Sequence, residues 1–406
     1  MAKSRSHAAW WMPTLITVGA VGAAALAGAA AITLLFARTV VTPPTRRIED
    51  IHVISVGQGT ITLSITAEST LRGRYSFWFA RDLGHARLGE VIELHPDSVT
   101  RELIGVDFGD LAAAKKGRFS GWFYLDPREL GYPYENVELE TELGPAPAWL
   151  VPAETDSGRW VIAVHGRAVR RTETLRAVPV FREAGYTSLL ISYRNDGDAP
   201  SSADGRYALG DTEWRDVEVA LKYAEEHGAK EIVLMGWSMG GATVLQALTR
   251  SEHVSLVRGV VLDSPVIDWV TALRYQGELR RLPTPIRSGV ISLIGTAWGA
   301  HLTGQEAAID LGRLDFVHRA IELTVPILLM HSDEDGFIPA SASRLLAEAR
   351  PDIVTFDSWA EGAHTKLWNF DSERWNASIS SWLEKLSRDR QPSARTESPP
   401  RPSVAG

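Results

Sequence analysis

Cysteine is missing from all 406 residues of this chain. Its absence excludes disulfides, thiol nucleophiles and cysteine metal sites, and it leaves the redox compartment undecided. No His/carboxylate cluster has metal-ligand spacing, so no metal is expected. Positive charge is in the minority: 42 Lys and Arg face 50 Asp and Glu, for a formal net charge of −8. That balance offers no basic face to a nucleic acid. Internal repeats are absent too. Apolar residues make up 45% and charged residues 23%, enough for a sizeable core, and the length suits one large domain with an appendage.

Charge disappears altogether over residues 10–37, "WWMPTLITVGAVGAAALAGAAAITLLFA". Such a run can cross a bilayer, which takes roughly 20 apolar residues. Trp10 and Trp11 would sit at one interface, and Arg38 closes the other end. A cleaved signal peptide competes, because Ala27, Ala29 and Ala31 could suit a protease, but signal cores span only about 7–15 residues. A single-pass anchor in the cell membrane is therefore expected. Lys3 and Arg5 on one side and Arg38, Arg46 and Arg47 on the other leave its orientation nearly undetermined, with an extracytoplasmic domain the expectation. Nothing in the sequence specifies an oligomeric state.

Residues 1–9 form a short N-terminal tail, and 38–50 a linker with two prolines. Residues 51–135 read as a β-rich appendage: "HVISVGQGTITLSI" has the pattern of a hairpin, and "GRYSFWFA", "GEVIEL" and "GRFSGWFYL" of further strands. From residue 136 to 386, buried apolar strands alternate with helical stretches. "RWVIAVHG", "TSLLISY", "EIVLMG", "VRGVVLDSP", "VPILLMHSD" and "IVTFDSW" are strands, and "TETLRAVPVFREAGY", "GDTEWRDVEVALKYAEEHGA" and "SERWNASISSWLEKL" are helices. This rhythm predicts an α/β fold with a mainly parallel, doubly wound sheet. The interval 266–323 is too long for a plain crossover and is expected to form a helical cap, with a packed helix pair and a loop as the simpler reading. The Pro-, Ser- and Arg-rich stretch 387–406 reads as a disordered tail.

Within this rhythm, "EIVLMGWSMGGATVLQAL" runs from a strand into a helix through Gly236-Trp237-Ser238-Met239-Gly240-Gly241. A serine on a sharp strand-to-helix turn projects its hydroxyl, and Gly236 and Gly240 remove side chains that would clash there. The helix start leaves N–H groups unpaired, so the Met239 N–H can bind a developing oxyanion. A second donor is expected from the loop after an earlier strand, where Gly166 lets the backbone turn and the Arg167 N–H is the candidate. A serine also needs a base and an orienting acid. His364 in "WAEGAHTKLWNF" and Asp335 in "HSDEDGFIP" lie at the carboxyl ends of strands, in the chain order Ser238, Asp335, His364. Asp263 and Asp333 are the alternative acids. His165 and His331 read as residues that order loops. Arg167, Arg170 and Arg171 form either a solvated face or a site for a phosphate or carboxylate on the substrate.

These residues together resemble the α/β-hydrolase superfamily over residues 137–386. "VHGR", "GWSMGG", "HSDEDGFIP" and "GAHT" stand at its oxyanion, nucleophile, acid and histidine positions, in its order. "GPAPAWLVPA", "HGRAVRRTETLR", "YRNDGDAP" and "GDTEWRDVEVAL" are similar to a membrane-anchored actinobacterial branch. The resemblance implies a sheet of about eight strands, a serine hydrolase and no cofactor. One position departs from it: Ser332 replaces the usual glycine after the acid-strand histidine. The expected activity is hydrolysis of ester, thioester or lipid acyl bonds of a small molecule or lipid through an acyl-enzyme. An acyltransferase or peptidase acting on cell-envelope substrates with the same triad, and a non-catalytic envelope-binding protein, are the alternatives.

Overall fold

The computed structural model describes residues 12–388, with side chains from Leu26 onward. The helix α1 (Met12–Val41) opens the chain. Six strands follow: β1 (Ile51–Val56), β2 (Thr60–Ser64), β3 (Tyr75–Phe79), β4 (Gly84–Leu94), β5 (Ser98–Phe108) and β6 (Lys116–Ser120). They close into an antiparallel barrel in the order β1-β2-β5-β4-β3-β6. Closure leaves no unpaired edge to aggregate. Its interior is aromatic, with Tyr75, Phe77 and Phe79 fully buried on β3. The buried Arg101 guanidinium donates to the carbonyls of Ser69, Leu71, Gly73 and Gly89, tying the loop before β3 to β4.

The second body begins with the hairpin β7 (Glu135–Thr141) and β8 (Gly144–Val151), then β9 (Arg159–Val164). Residues 171–177, expected as part of a helix, wind as a 3-10 turn ahead of a short α2 (Val178–Glu183). Glu173 and Arg176 of that turn point inward to make buried polar contacts. Next come β10 (Thr187–Ile191), α3 (Trp214–Glu226), β11 (Glu231–Trp237), α4 (Met239–Arg250) and β12 (Val257–Asp263). After β12, α5 (Trp269–Leu279), α6 (Thr284–Gly295) and α7 (Ala297–Thr303) fill the interval expected to form a cap. The chain closes with β13 (Ile327–Ser332), α8 (Ser341–Ala349), β14 (Val354–Trp359), α9 (Leu367–Phe370) and α10 (Ser372–Arg388).

The second sheet has eight strands, ordered β14-β13-β12-β11-β9-β10-β8-β7. All neighbours from β10 to β14 pair in parallel, and β8 and β7 join antiparallel at one edge. Parallel strands need both faces covered, and two apolar clusters do this. The order reverses between β9 and β11, so the carboxyl ends of β9, β11, β12 and β13 gather their loops at one rim.

Of the N-terminal readings, the anchor lies mostly outside the description and the linker boundary differs. The anchor expected at 10–37 falls for the most part on residues whose side chains lie outside this description, and among the described residues no helix is long and apolar enough to cross a membrane. The linker expected from residue 38 begins as helix, because α1 runs to Val41, where Ala37 and Val41 are fully buried in the core of the second body. The expected tail lies outside the described residues beyond Arg388.

Candidate active site

β11 delivers Ser238 into a turn that its neighbours crowd from three sides. A Cβ on Gly236 would lie 2.5 Å from the Gly240 carbonyl oxygen, and one on Gly240 would lie 2.3 Å from the Val164 oxygen and 2.4 Å from that of His165. A Cβ on Gly241 would press against Pro265 at 2.7 Å. Glycine alone lets β9, β11 and α4 approach so closely. Ser238 itself sits at φ 50°, ψ −117°, a conformation that costs of order 1–3 kcal/mol in a non-glycine residue. Surrounding hydrogen bonds hold it there: its N–H donates to the Asp263 carbonyl at 3.1 Å, and its carbonyl accepts from Val266 at 3.1 Å.

The strained turn aims the Ser238 hydroxyl at His364, whose Nε2 lies 2.9 Å from Oγ. The other ring nitrogen, Nδ1, is 2.7 Å from Asp335 Oδ2. Nδ1–H therefore donates to the carboxylate, and the bare Nε2 faces the serine proton. Asp335 is fixed by three further groups. Oδ1 accepts the N–H groups of Phe337 and Ile338, both at 2.8 Å. His331 Nε2 lies 3.2 Å from Oδ2 and also donates to the Ile338 carbonyl, while its Nδ1 accepts from Ser343 at 2.8 Å. Burial alone would raise the Asp335 pKa, but the adjoining His364 and His331 outweigh it and hold the carboxyl well below its usual range. Ser332 compensates for the glycine expected at its position by accepting the Glu334 N–H at 3.1 Å, which closes the turn before Asp335.

The two alternative acids are elsewhere. Asp263 is fully buried and spends its oxygens on Ser264 and the Trp375 indole, each at 2.9 Å. Burial raises its pKa, and it serves to anchor β12 to α10. Asp333 turns outward to an ion pair with Arg344. Only position had distinguished these carboxylates, and side-chain direction separates them.

Gly166 lies directly beside the nucleophile: a Cβ there would be 3.3 Å from Ser238 Cβ. Arg167 follows it and shares with Ser238 the lining of two cavities. Met239 is the first residue of α4, where N–H groups have no intrahelical partner. The two backbone positions expected to bind an oxyanion thus flank Ser238. The Arg167 side chain turns away and donates to the carbonyls of Thr39 at 2.8 Å and Thr42 at 3.0 Å. Arg171 lies over the Trp149 ring and bonds Ser192 at 2.9 Å, and Arg170 approaches Asp198 at 3.9 Å. Arg171 also reaches Asp198, at 3.4 Å, so Arg170 and Arg171 share an internal carboxylate while Arg167 points away from them to α1.

His165 stacks on Tyr193 with 4.2 Å between ring centroids and bonds the Gly166 carbonyl at 2.8 Å. Complete burial pushes its pKa down to about 3, so it stays neutral and orders the loop.

A buried network behind the site escaped the sequence reading. Glu173 Oε2 accepts the Gly166 N–H at 2.7 Å, and burial raises its pKa. Arg176, 3.7 Å from Glu173, donates to the Thr365 carbonyl at 2.8 Å and to Asn369 at 2.7 Å. Thr365, at φ 54°, also donates its N–H to Ser264 Oγ at 3.1 Å. One charged pair therefore ties the loop after β9 to the loop bearing His364. "RTETLR" gave no signal beyond helical spacing.

Two cavities meet at Ser238. An apolar one of about 200 Å³ lies under the cap, with Trp269, Leu273 and Val290 among its walls. A second of about 260 Å³ is lined by Glu68 of the barrel with Glu173, His364 and Lys366. Glu68 and Lys366 form an ion pair, and Asn369 Nδ2 donates to the Arg74 carbonyl at 2.9 Å, so the barrel rests on the segment that carries His364. Among the described residues no group of three or more His, Asp or Glu could hold a metal ion.

Comparison with known proteins agrees with this architecture. The profile of a domain of unknown function matches residues 52–120, the barrel. No protein with a curated description matches in sequence. In fold, the chain is similar to an esterase of Pyrococcus furiosus, with 18% identity and a TM-score of 0.50 over 64% of this chain and 94% of that one. It is also similar to an esterase of Exiguobacterium antarcticum, at 17% identity and TM-score 0.44 over 62% of this chain and 100% of that one. A bromoperoxidase of Bacillus anthracis aligns at 18% identity and TM-score 0.44 over 62% and 100%. The profile of the alpha/beta hydrolase family matches residues 161–377, just over half of the chain, and the chain belongs to that family.

Proposed function

We propose that this protein is a serine hydrolase that cleaves a carboxylic ester through an acyl-enzyme. The observation that carries this reading is the unbroken run from Ser238 through His364 to Asp335, at 2.9 and 2.7 Å, on the floor of an apolar cavity. Ser238 Oγ attacks the ester carbonyl carbon as its proton passes to His364 Nε2. Asp335 stabilises the imidazolium and keeps Nε2 facing the serine. The carbonyl oxygen takes up the negative charge against the N–H groups of Met239 and Arg167. Collapse breaks the bond to the alkoxide, which takes the His364 proton and leaves as an alcohol. A water then gives a proton to His364 and attacks the acyl carbon, and the acid and free Ser238 are restored. A non-catalytic binding protein would have no need for a serine held at φ 50° within reach of a base. A peptidase or acyltransferase would share the acyl-enzyme and differ in the group that leaves or accepts.

The test uses the full chain in detergent. A fluorophosphonate probe should label it, p-nitrophenyl esters should turn over, and both should vanish in Ser238→Ala. Labelling without ester turnover would favour the peptidase or acyltransferase. Absence of labelling in the wild type would exclude the serine mechanism.

A further inference from the structure

The cap over Ser238 is not closed by the α5–α7 segment alone. Phe36, Thr39 and Val40, near the C-terminal end of α1, line the same apolar cavity as Ser238, Trp269 and Val290. The seating of α1 is fixed at both ends of this contact. Toward its N-terminal side, Gly289 of α6 faces Thr33 so closely that a Cβ would lie 2.8 Å from Thr33 Cγ2. At the C-terminal end, Arg38 donates to the Leu302 carbonyl at 2.9 Å, the Tyr207 N–H to Val41 at 2.8 Å, and Arg167 to Thr39 and Thr42. Arg167, whose N–H serves the oxyanion in the proposed mechanism, thus locks the same helix that walls the cavity.

The outer face of α1 is different. Ile32 is 42% exposed and Leu35 64% exposed, three residues apart on one side of the helix, and on the neighbouring α7 Trp298 is 59% exposed. Apolar area of this kind, continued by an uncharged sequence back to Trp10, suits a lipid phase rather than water. A helix that touches lipid on one face and the cavity on the other puts the acyl pocket against the bilayer.

Resting on the serine-hydrolase reading above, we propose that α1 is both the membrane attachment and a wall of the acyl pocket, and that the substrate is a membrane lipid ester whose acyl chain enters between α1 and the cap. Phe36 and Val40 then set the length and width of the chain accepted. The chain slides from the bilayer into the cavity without crossing water, and the carbonyl stops at Ser238.

The experiment compares the full chain with Val40→Trp, which fills the cavity, and Phe36→Ala, which enlarges it. Fluorophosphonate labelling of each variant reports whether its site is formed. The ratio of kcat/KM for dodecanoyl over butyryl p-nitrophenyl ester should fall at least tenfold in Val40→Trp and rise at least threefold in Phe36→Ala. Labelled variants with ratios within twofold of wild type would overturn the wall and leave the serine hydrolase standing. If Val40→Trp is not labelled, Phe36→Ala decides. An unlabelled wild type would instead overturn the underlying reading. The lipid route has its own arm: the full chain should cleave a long-chain ester in its own phosphatidylcholine vesicles at least tenfold faster than in separate vesicles. Equal rates would overturn entry from the bilayer and point to a soluble ester.

Discussion

Asp335→Asn is the substitution on which the site's geometry makes the sharpest demand. The carboxylate serves two sets of donors: the N–H groups of Phe337 and Ile338 on Oδ1, and the imidazoles of His364 and His331 on Oδ2. An amide can keep only one set. If its oxygen faces the two backbone donors, its NH2 meets His364 Nδ1 and forces the ring to carry its proton on Nε2. That nitrogen then points a hydrogen at Ser238 and cannot accept one. If the amide flips, its NH2 collides with the two backbone N–H groups and the turn after β13 opens. Both outcomes remove the base. Losing the carboxylate of such a triad lowers kcat by ~10⁴, or about 5 kcal/mol at roughly 1.4 kcal/mol per tenfold. The assay is kcat on a p-nitrophenyl ester near pH 8, with thermal unfolding alongside to show that the fold persists. A folded Asp335→Asn protein that loses less than tenfold would refute the assignment. Asp263→Asn is the comparison, because its partners are Trp375 and Ser264 and it makes no hydrogen bond to His364.

Four further outcomes are expected. Gly240→Ala drives a methyl into two backbone oxygens that cannot move aside; it should lower the melting temperature by several degrees and abolish fluorophosphonate labelling, and wild-type labelling would count against the elbow geometry. Glu173→Gln leaves the buried Arg176 without its carboxylate and should destabilise the fold by about 3–5 kcal/mol, read by urea unfolding. His165 has a folded pKa of about 3, below its unfolded value near 6.5, so the unfolded chain takes up the proton first. Its contribution is complete above pH 7 and declines as pH falls from 6.5 towards 3, by about 2 kcal/mol at pH 5. His165→Asn should flatten that stretch of the stability–pH curve, and an unchanged slope would show that another group causes it. A chain beginning at residue 46 lacks Phe36, Thr39 and Val40 and bares the α6 face that α1 covers; it should aggregate at micromolar concentration by light scattering and lose its chain-length preference.

Local chemistry made much of this protein legible without coordinates. Gly236 is bound to the strand–turn–helix at Ser238 by sterics within a few residues, though Gly240 is needed because β9 packs against it, and the positions of Asp335 and His364 after apolar strands follow from the way parallel sheets present their loops. The β-rich stretch was written in short-range alternation, and the interval after β12 stood out by its length. Other features depended on groups brought together from far along the chain. The choice of Asp335 over Asp333 rests on side-chain direction after β13, a matter of two residues that no pattern resolves. Glu173 and Arg176 read as an ordinary amphipathic turn, because their value lies in Gly166, Thr365 and Asn369, the last two almost 200 positions away. The sequence marked α1 as apolar and uncharged but had no means to show that one face of it closes the pocket over Ser238. That depends on Thr33 meeting Gly289 and Arg167 reaching Thr39, contacts that exist only once helices far apart in the chain have packed.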